Sequence, residues 1–510
     1  MDEKKEQKAK EELVLEKQTI GQDDSLNQLF KTLGLSVAPQ ADSTTDVLEA
    51  PETFTEGDML FASLNVLLRN LDKSKDADAR LRTSDIDSAI EVIDRFLSKQ
   101  VSAIIHHPKF QSLESAWRSV EFLVRRTNFR KNIEIKILDV TKDEILDDAD
   151  NALSLEQSDL FRRVYLDEYG ILGGKPYAAI IGDYEILNND DDIKFLRHMG
   201  QISAAAHAPF ISSVGPKFFG FRTAEELDRV KNINRILSQK KFAAWREFRK
   251  EDFANYIALT LPRFQLRNPF DPMNQKIKTF NFKEAVDGPN EYLWGNTAVA
   301  LTSKMIESFQ KTGWGVYFRG VESGGKVSDL PLHVFEIDGI EEQQIPTEFA
   351  IPDFREKEFS DCGFIPLVWS KDSNYAVFFG GQSIQEPQLY DDDQATANAR
   401  LTAKLPYMLA VSRVAHYLKQ YMRDKIGATV TREGIEGEMN RWLKQYVSAD
   451  PNPDARAKAK YPFRKAEVQV FELADNPGYY DMKIFVVPHI QLEGINAGLS
   501  LTTKLPKERS

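Results

Sequence analysis

The sequence predicts a layered α/β (α+β) protein in which helices cover both faces of a mixed sheet, and three observations predict it. The runs Tyr177–Ile181 and Phe210–Val214 are apolar without alternation, the pattern of strands buried on both faces. Helical periods at about 191–207 and 223–240 separate and follow them, and apolar segments at Val316–Phe318, Leu332–Phe335, Phe364–Val368 and Ala376–Phe379 supply further strands. At 510 residues the chain is also long enough for several domains of ordinary size around a large core.

Four regions follow along the chain. Residues 1–57 read as an acidic arm: residues 1–60 hold fourteen acidic and six basic side chains, and 36–57 is rich in Ser, Thr, Pro and acids, too poor in apolar surface to offset its ordering entropy. Within the arm, Leu26, Leu29, Phe30 and Leu33 share one face of a short helix that Asp23, Asp24 or Ser25 caps and Gly34 ends. Such a helix either docks on its own body or offers itself to another protein's groove.

Residues 58–130 are helical. Met59–Leu71 forms one helix; a second, capped at Ser84, aligns Ile86, Ile90, Ile93 and Leu97; a third carries Phe110, Leu113, Trp117, Val120 and Val124. His106-His107-Pro108 marks the turn between the last two. Residues 131–392 form the central α/β region, which Ile133, Ile135 and Ile137 open as a half-buried strand. Residues 393–510 begin with a long helix to about 426, which Pro406 kinks or splits. Two strands follow around an Asn476-Pro477-Gly478 turn, through Val468 and Val470 and then Tyr480, Met482, Ile484 and Val486. Leu499, Leu501, Thr503 and Leu505 alternate with polar residues in a last strand, which joins either its own sheet or a neighbour's edge.

Composition narrows the chemistry. A formal charge of −12 argues against a general nucleic-acid binder, which needs a basic face to neutralise phosphates. A single cysteine, Cys362, excludes an intrachain disulfide and any cysteine-based zinc cluster. No apolar run approaches the ~18 residues that span a bilayer, and the charged N-terminus has no apolar core behind it, so the expectation is a soluble protein of the cytoplasm.

Candidate sites are weak. Gly320-Val321-Glu322-Ser323-Gly324-Gly325-Lys326 fits the phosphate-loop spacing GxxxxGK after the expected strand Val316–Phe318, but Val327 stands where a magnesium-binding hydroxyl belongs and no helix opening follows. The histidines form no ligand pair. Cys362 reads as a buried thiol near a turn, and Asp190-Asp191-Asp192 as a solvated helix N-terminus. Arg125-Arg126 and Arg130-Lys131 read as a solvated face or intrachain ion pairs. Neither a catalytic residue, nor a cofactor, nor a metal site is therefore expected, which shifts the balance from enzyme to assembly protein.

The segments carry a resemblance. Ile105–Arg118 (IHHPKFQSLESAWR), Leu259–Phe264 (LTLPRF), Tyr292–Asn296 (YLWGN), Gly313-Trp314-Gly315, Arg319–Glu322 and Phe354–Leu367 (FREKEFSDCGFIPL) stand in order. Ala395–Leu401 (ATANARL), His416–Lys419 (HYLK), Arg423–Gly427 (RDKIG) and Pro488–Gly494 (PHIQLEG) follow them. Together they resemble the large sheath subunit of contractile type VI secretion systems, the TssC/VipB/IglB-like family. The resemblance implies a contractile-sheath fold with extended N- and C-terminal arms and a structural role in the bacterial cytoplasm, without direct membrane insertion. It implies obligate pairing with a small sheath subunit of the TssB/VipA/IglA type, and further copies of the chain stacked into a helical sheath. The other implied partners are an inner tube protein, a baseplate, and an AAA+ unfoldase that recycles the contracted sheath. It gives the Leu26, Leu29, Phe30, Leu33 face the role of the unfoldase's handle, and the Leu499, Leu501, Thr503, Leu505 strand the role of an inter-subunit strand. A single-component phage-like tail sheath and an unrecognised nucleotide-binding enzyme are the competing readings.

Overall fold

The computed structural model describes residues 83–489, apart from 274–279, 287, 338–339, 427–430, 449 and 473–479. The expected arm at 1–57, the Met59–Leu71 helix, the Asn476-Pro477-Gly478 turn and the final strand lie outside the described residues. The chain divides into two units, one of residues 1–106 with 269–285 and one of residues 107–268 with 286–510.

In the first unit the helix α1 (Thr83–Ile105) presents Asp94, Ser98 and Ser102 at four-residue intervals, a row that His106 continues just past its end. An extended segment runs along this row. Asn281 Nδ2 donates to Asp94 at 3.1 Å, and the backbone N–H groups of Lys283 and Ala285 donate to the Ser98 and Ser102 hydroxyls at 3.2 and 3.3 Å. Glu284 Oε1 meets His106 Nε2 at 2.9 Å, and its other oxygen accepts from Phe270 N at 2.8 Å. Four helical residues rise about 6 Å and two extended residues about 6.7 Å, so the two periods match.

In the second unit the longer helices are α2 (Pro108–Arg126), α3 (Lys142–Asn151), α4 (Asp190–Ala206), α5 (Thr297–Thr312), α6 (Asp353–Asp361), α7 (Asp393–Thr402), α8 (Leu405–Asp424) and α9 (Arg432–Lys444). The strands are β1 (Ile180–Ile186), β2 (Phe210–Val214), β3 (Ile257–Leu261), β4 (Phe264–Gln265), β5 (Trp294–Gly295), β6 (Lys326–Val327), β7 (His333–Ile337), β8 (Ile340–Gln344), β9 (Phe364–Trp369), β10 (Ala376–Phe378), β11 (Phe463–Glu472) and β12 (Tyr480–Pro488). A six-stranded sheet runs β1-β2-β3-β9-β10-β6, parallel through β9 and antiparallel beyond it. The pairs β4–β5, β7–β8 and β11–β12 form separate small sheets.

Alternation along the central strands feeds two cores. Phe210, Val214, Ile257, Leu259, Leu261, Phe364 and Val368 enter one with α4; Ile211, Ala258, Ile365 and Leu367 enter the other with α5, α8 and α9. Both faces are thus covered, which is why these strands read as unbroken apolar runs. An aromatic cluster fills the first core, where Trp245 stacks on Phe364 at 6.0 Å and Phe218 meets Trp245 edge-on at 5.0 Å.

The resembling segments serve the packing. Asn296 caps α5 by accepting from Ala298 N at 2.9 Å, while its amide donates to Gly182 O and Tyr184 O at 3.3 Å. Those carbonyls sit where the β1–β2 register shifts, and Ser212 Oγ also donates to both. Glu114 on α2 receives Arg267 Nε and Nη2 at 2.7 and 3.2 Å and Arg118 Nε at 2.7 Å. Burial alone would raise this carboxyl; the two guanidinium groups hold it below the usual range.

Several expected elements shift. Pro406 splits the long helix, ending α7 at Thr402 and standing in the first turn of α8, where its missing N–H costs no helical bond. Strand β1 starts at Ile180 rather than Tyr177. Ile133, Ile135 and Ile137 form no strand: the segment is extended, but among the described residues no ladder lies beside it, and ion pairs Lys136–Glu168 and Lys175–Glu134 tie it down. Val316–Phe318 is likewise a turn and coil, not a strand. Asp190-Asp191-Asp192 is the first turn of α4 as expected, although Asp192 is buried and accepts from Lys142 Nζ at 2.8 Å.

Replacing Arg267, buried beside Glu114, with Ala leaves that carboxylate to Arg118 alone; urea unfolding is expected to show a loss of about 2 kcal/mol, the scale of lost hydrogen bonds to a charged group.

Candidate assembly site

The C-terminal sheet has two strands, and its two outer edges are met differently. Helix α9 begins with Thr431, whose side chain accepts from Gly434 N at 3.2 Å, and turns Ile435, Met439 and Leu443 into the core with Val468 and Val470 of β11. Trp442 stacks flat on Tyr417 of α8 at 3.8 Å, and Trp314 stands edge-on to Tyr446 at 5.2 Å and to Phe463 at 5.5 Å. These ring contacts fix the module to its unit.

Strands β11 and β12 pair antiparallel, with Val468 opposite Ile484 and Val470 opposite Met482. On the outer face Lys465 lies over the Phe485 ring at 5.4 Å and Lys483 over Phe471 at 5.2 Å. On the inner face Val468 and Val470 of β11 are buried, but Tyr480, Met482, Ile484 and Val486 of β12 are only half-buried.

The two outside edges differ. Along β11, Asn440 of α9 accepts from Val468 N at 2.9 Å and donates to Val468 O at 2.7 Å, and Glu436 accepts from Val470 N at 3.0 Å. Near its start Ser448 N donates to Phe463 O at 3.1 Å and Phe463 N to Tyr446 O at 3.4 Å. Along β12, the sheet stops: among the described residues no strand pairs with its far edge.

The base of this module rests on α4 through α8. His416 Nε2 bonds Ala206 O at 3.0 Å, Lys419 Nζ donates to Ala205 O at 3.3 Å, and Tyr169 OH donates to Ala206 O at 2.8 Å. The last carbonyls of α4 thereby find partners. His207, in the left-handed conformation that ends α4, meets Tyr256 OH at 3.0 Å.

Other candidates are spoken for. The Gly320–Lys326 segment is a tight turn: Gly320 N donates to Phe378 O at 2.7 Å, Gly325 N to Gly320 O at 2.8 Å, and Lys326 enters β6 with its ammonium 3.9 Å from the Tyr375 ring centre. Gly324 has φ +99°, and a Cβ there would lie 2.4 Å from Tyr317 O. Its Gly320 and Gly325 amides and its lysine are therefore engaged within the chain, and the segment runs on into β6 rather than into a helix. Cys362 is buried, its Sγ donating to Asn234 Oδ1 at 3.1 Å, and burial pushes the thiol up to about 12. Arg126 donates to Ser328 O at 2.7 Å and Arg125 pairs with Glu121 at 2.5 Å, intrachain roles for the basic cluster. Among the described residues there is no group of side chains that could hold a metal ion and no helix long and apolar enough to cross a membrane.

The sequence-expected interaction residues Leu26, Leu29, Phe30 and Leu33, and Leu499, Leu501, Thr503 and Leu505, lie outside the described residues. Sequence reasoning located β11 and β12 but missed Asn440 and Glu436, whose spacing of four on the flank of a helix is the one available signal.

Two family models match the chain, "EvpB/VC_A0108, tail sheath N-terminal domain" over residues 87–385 and "EvpB/VC_A0108, tail sheath gpW/gp25-like domain" over residues 394–505. Together they define a tail sheath protein. The type VI secretion system sheath protein TssC1 of Pseudomonas aeruginosa is 41% identical over 430 residues, 83% of this chain and 86% of that protein. The chain belongs to the type VI secretion family of tail sheath proteins, as a large subunit of the contractile sheath. Among solved structures, the baseplate of the anti-feeding prophage matches with a TM-score of 0.38 at 10% identity, covering 73% of this chain and 84% of that one. Its contracted helical sheath matches with a TM-score of 0.33 at 9% identity, covering 60% and 66%. These likenesses are too distant to add to the assignment.

Burial pushes the His207 and His416 imidazoles down to about 4, with Lys419 adding to the effect on both. An unfolded histidine titrates near 6.5, so this stability is complete above pH 6.5 and is lost as the pH falls towards 4. At pH 5 the loss is roughly 2 kcal/mol per histidine relative to pH 7. Thermal melts across this range are expected to show that fall, and replacing both residues with Gln to flatten it.

Proposed function

We propose that this chain pairs with a smaller sheath subunit and that such heterodimers stack, around an inner tube and on a baseplate, into a sheath whose contraction drives the tube and its effectors outward. The far edge of β12, beside which no strand lies among the described residues, together with its half-buried apolar row, is the observation that supports the reading. Leu499, Leu501, Thr503 and Leu505 supply the matching alternation, and strand addition holds neighbours through backbone bonds that tolerate changes in body orientation. Energy for firing is stored in the assembled state and released on repacking, so no cofactor is required. Each unit keeps its own form, since packed cores of this kind do not deform continuously. The Leu26, Leu29, Phe30, Leu33 face serves as the handle by which an AAA+ unfoldase takes up spent subunits. The sheath works in the bacterial cytoplasm, without inserting into a membrane, and the chain catalyses nothing.

A single-component sheath would need no smaller partner, and co-purification separates the two cases. A nucleotide-binding enzyme is disfavoured by the Gly320 turn, whose Gly320 and Gly325 amides are engaged within the chain and which runs into a strand rather than a helix. Nucleotide-dependent thermal shifts, compared with Lys326→Ala, are expected to be absent.

Deleting residues from Leu499 onward is expected to leave heterodimers but abolish long sheaths in electron micrographs; normal sheaths would contradict strand interlacing. Changing Leu29 and Phe30 to Asp is expected to spare assembly and to weaken unfoldase binding in a pull-down.

A further inference from the structure

We propose that the outer helices α2 and α3 form a head-to-tail contact between copies of this chain: the exposed apolar row of α2, with its cationic end, docks on the acidic face of α3 and Leu153 in the next copy. The contact presupposes the stacking of copies proposed above and adds a surface that carries it.

The two helices are outer layers of the second unit, on opposite sides of its six-stranded sheet. Helix α2 packs on α5, whose Gln310 Nε2 donates to Arg126 O at 3.2 Å, and α5 faces the core of Ile211, Ala258 and Ile365. Helix α3 packs on α4 through Ile145, with Lys142 Nζ donating to Asp192 at 2.8 Å, and α4 faces the core of Phe210, Ile257 and Leu259. A shift across the sheet therefore brings the α3 side of one copy to the α2 side of the next.

Both helices leave apolar surface without a partner. On α2, Ser119 and Leu123 are buried, while Phe110, Leu113, Trp117 and Val124 stand at i, i+3, i+7 and i+14 on the opposite side. All four are exposed, Trp117 at 65%. A row of this kind, centred on tryptophan, is what anchors protein contacts. Beside α3, Leu153 is 92% exposed, and Ile137 and Leu138, shortly before the helix, are exposed as well.

Charge sorts the two surfaces. Residues 108–131 hold six basic and two acidic side chains, whereas residues 139–159 hold eight acidic and one basic. Arg125 pairs with Glu121 and Arg126 donates to Ser328 O, but Arg130 and Lys131 are exposed and have no carboxylate partner among the described residues. Asp150 pairs with Lys194 and Asp148 accepts from Ser158, which leaves Asp143 and Asp147 exposed and without a cation among the described residues. Two α2 faces would set cation against cation, and two α3 faces anion against anion, so neither suits its own kind. Facing each other they match in sign, and both cover apolar groups. A contact between two different faces of one chain repeats into a ring or an open helical filament, the form a sheath needs.

Pelleting of assembled sheaths tests the contact, with full-length chain co-expressed with the smaller sheath partner. One variant carries Arg130→Glu with Lys131→Glu, a second Asp143→Lys with Asp147→Lys, and a third all four changes in one chain. These side chains are exposed, so melting temperature and co-purification of the partner are expected to stay as in the wild type. Each pair of changes alone is expected to lower the pelleted fraction by about tenfold or more, since like charges then meet across the contact. The fourfold variant, with the signs exchanged on both faces, is expected to recover most of that loss. Leu113→Ser with Trp117→Ser is expected to lower the fraction as well, without restoration by any charge change. Wild-type pelleting in both charge variants would overturn the contact, and failure of the fourfold variant to recover would overturn the matching of α2 with α3. Loss of the smaller partner from the α2 variants, in place of loss of sheaths, would assign this face to that partner and overturn the choice of a second copy. A wild-type chain that forms no sheath would contradict the stacking of copies itself.

Discussion

Two strands always leave two rows of outward backbone groups, and how a protein disposes of them decides whether it stays alone. Here one row is met by a helix and the other by nothing described. Asn440 and Glu436 stand four apart on α9, a rise of about 6 Å, and meet Val468 and Val470, two apart on β11. Unit one uses the same matching of periods: Ser98 and Ser102 of α1 accept from Lys283 and Ala285. A helix flank bearing short polar side chains is thus a stand-in for a strand. Where it is used, the edge is finished; among the described residues the β12 edge has no such helix.

The rest of the second unit makes the unfinished edge worth having. A sheet with a core on each face, the Glu114–Arg267 pair, and the His416 and Lys419 bonds to the end of α4 give the module a firm base. The stacked Trp442 and Tyr417 and the Trp314 contacts fix α9 and β11 on it. Under the proposed interlacing, force delivered through an added strand would pass to a packed unit rather than be absorbed by local unfolding.

Much of this was legible in the residues. The unbroken runs at Phe210–Val214 and Phe364–Val368 are strands buried on both faces, and Pro406 does break its helix. Period-two alternation failed at Ile133–Ile137: Ile133 and Ile135 are half-buried but Ile137 is exposed, among the described residues no strand pairs with the segment, and side-chain ion pairs hold it instead. Val316–Phe318 misled for the opposite reason, since burial in a turn also selects apolar residues. The family blocks spelled out sheath membership, but not that Asn296 and Glu114 within them are packing devices, because their partners Gly182 and Arg267 lie more than a hundred residues away. Asn440 and Glu436 escaped notice because a polar pair on a helix ordinarily means solvent.

Backbone amide exchange, compared between the free heterodimer and the polymerised sheath, tests the central claim most directly. The amides of Met482, Ile484 and Val486 are expected to be weakly protected in the heterodimer and strongly protected in the sheath, while Val468 and Val470 stay protected in both. Equal protection of the β12 amides in the two states would contradict the claim that assembly completes this sheet.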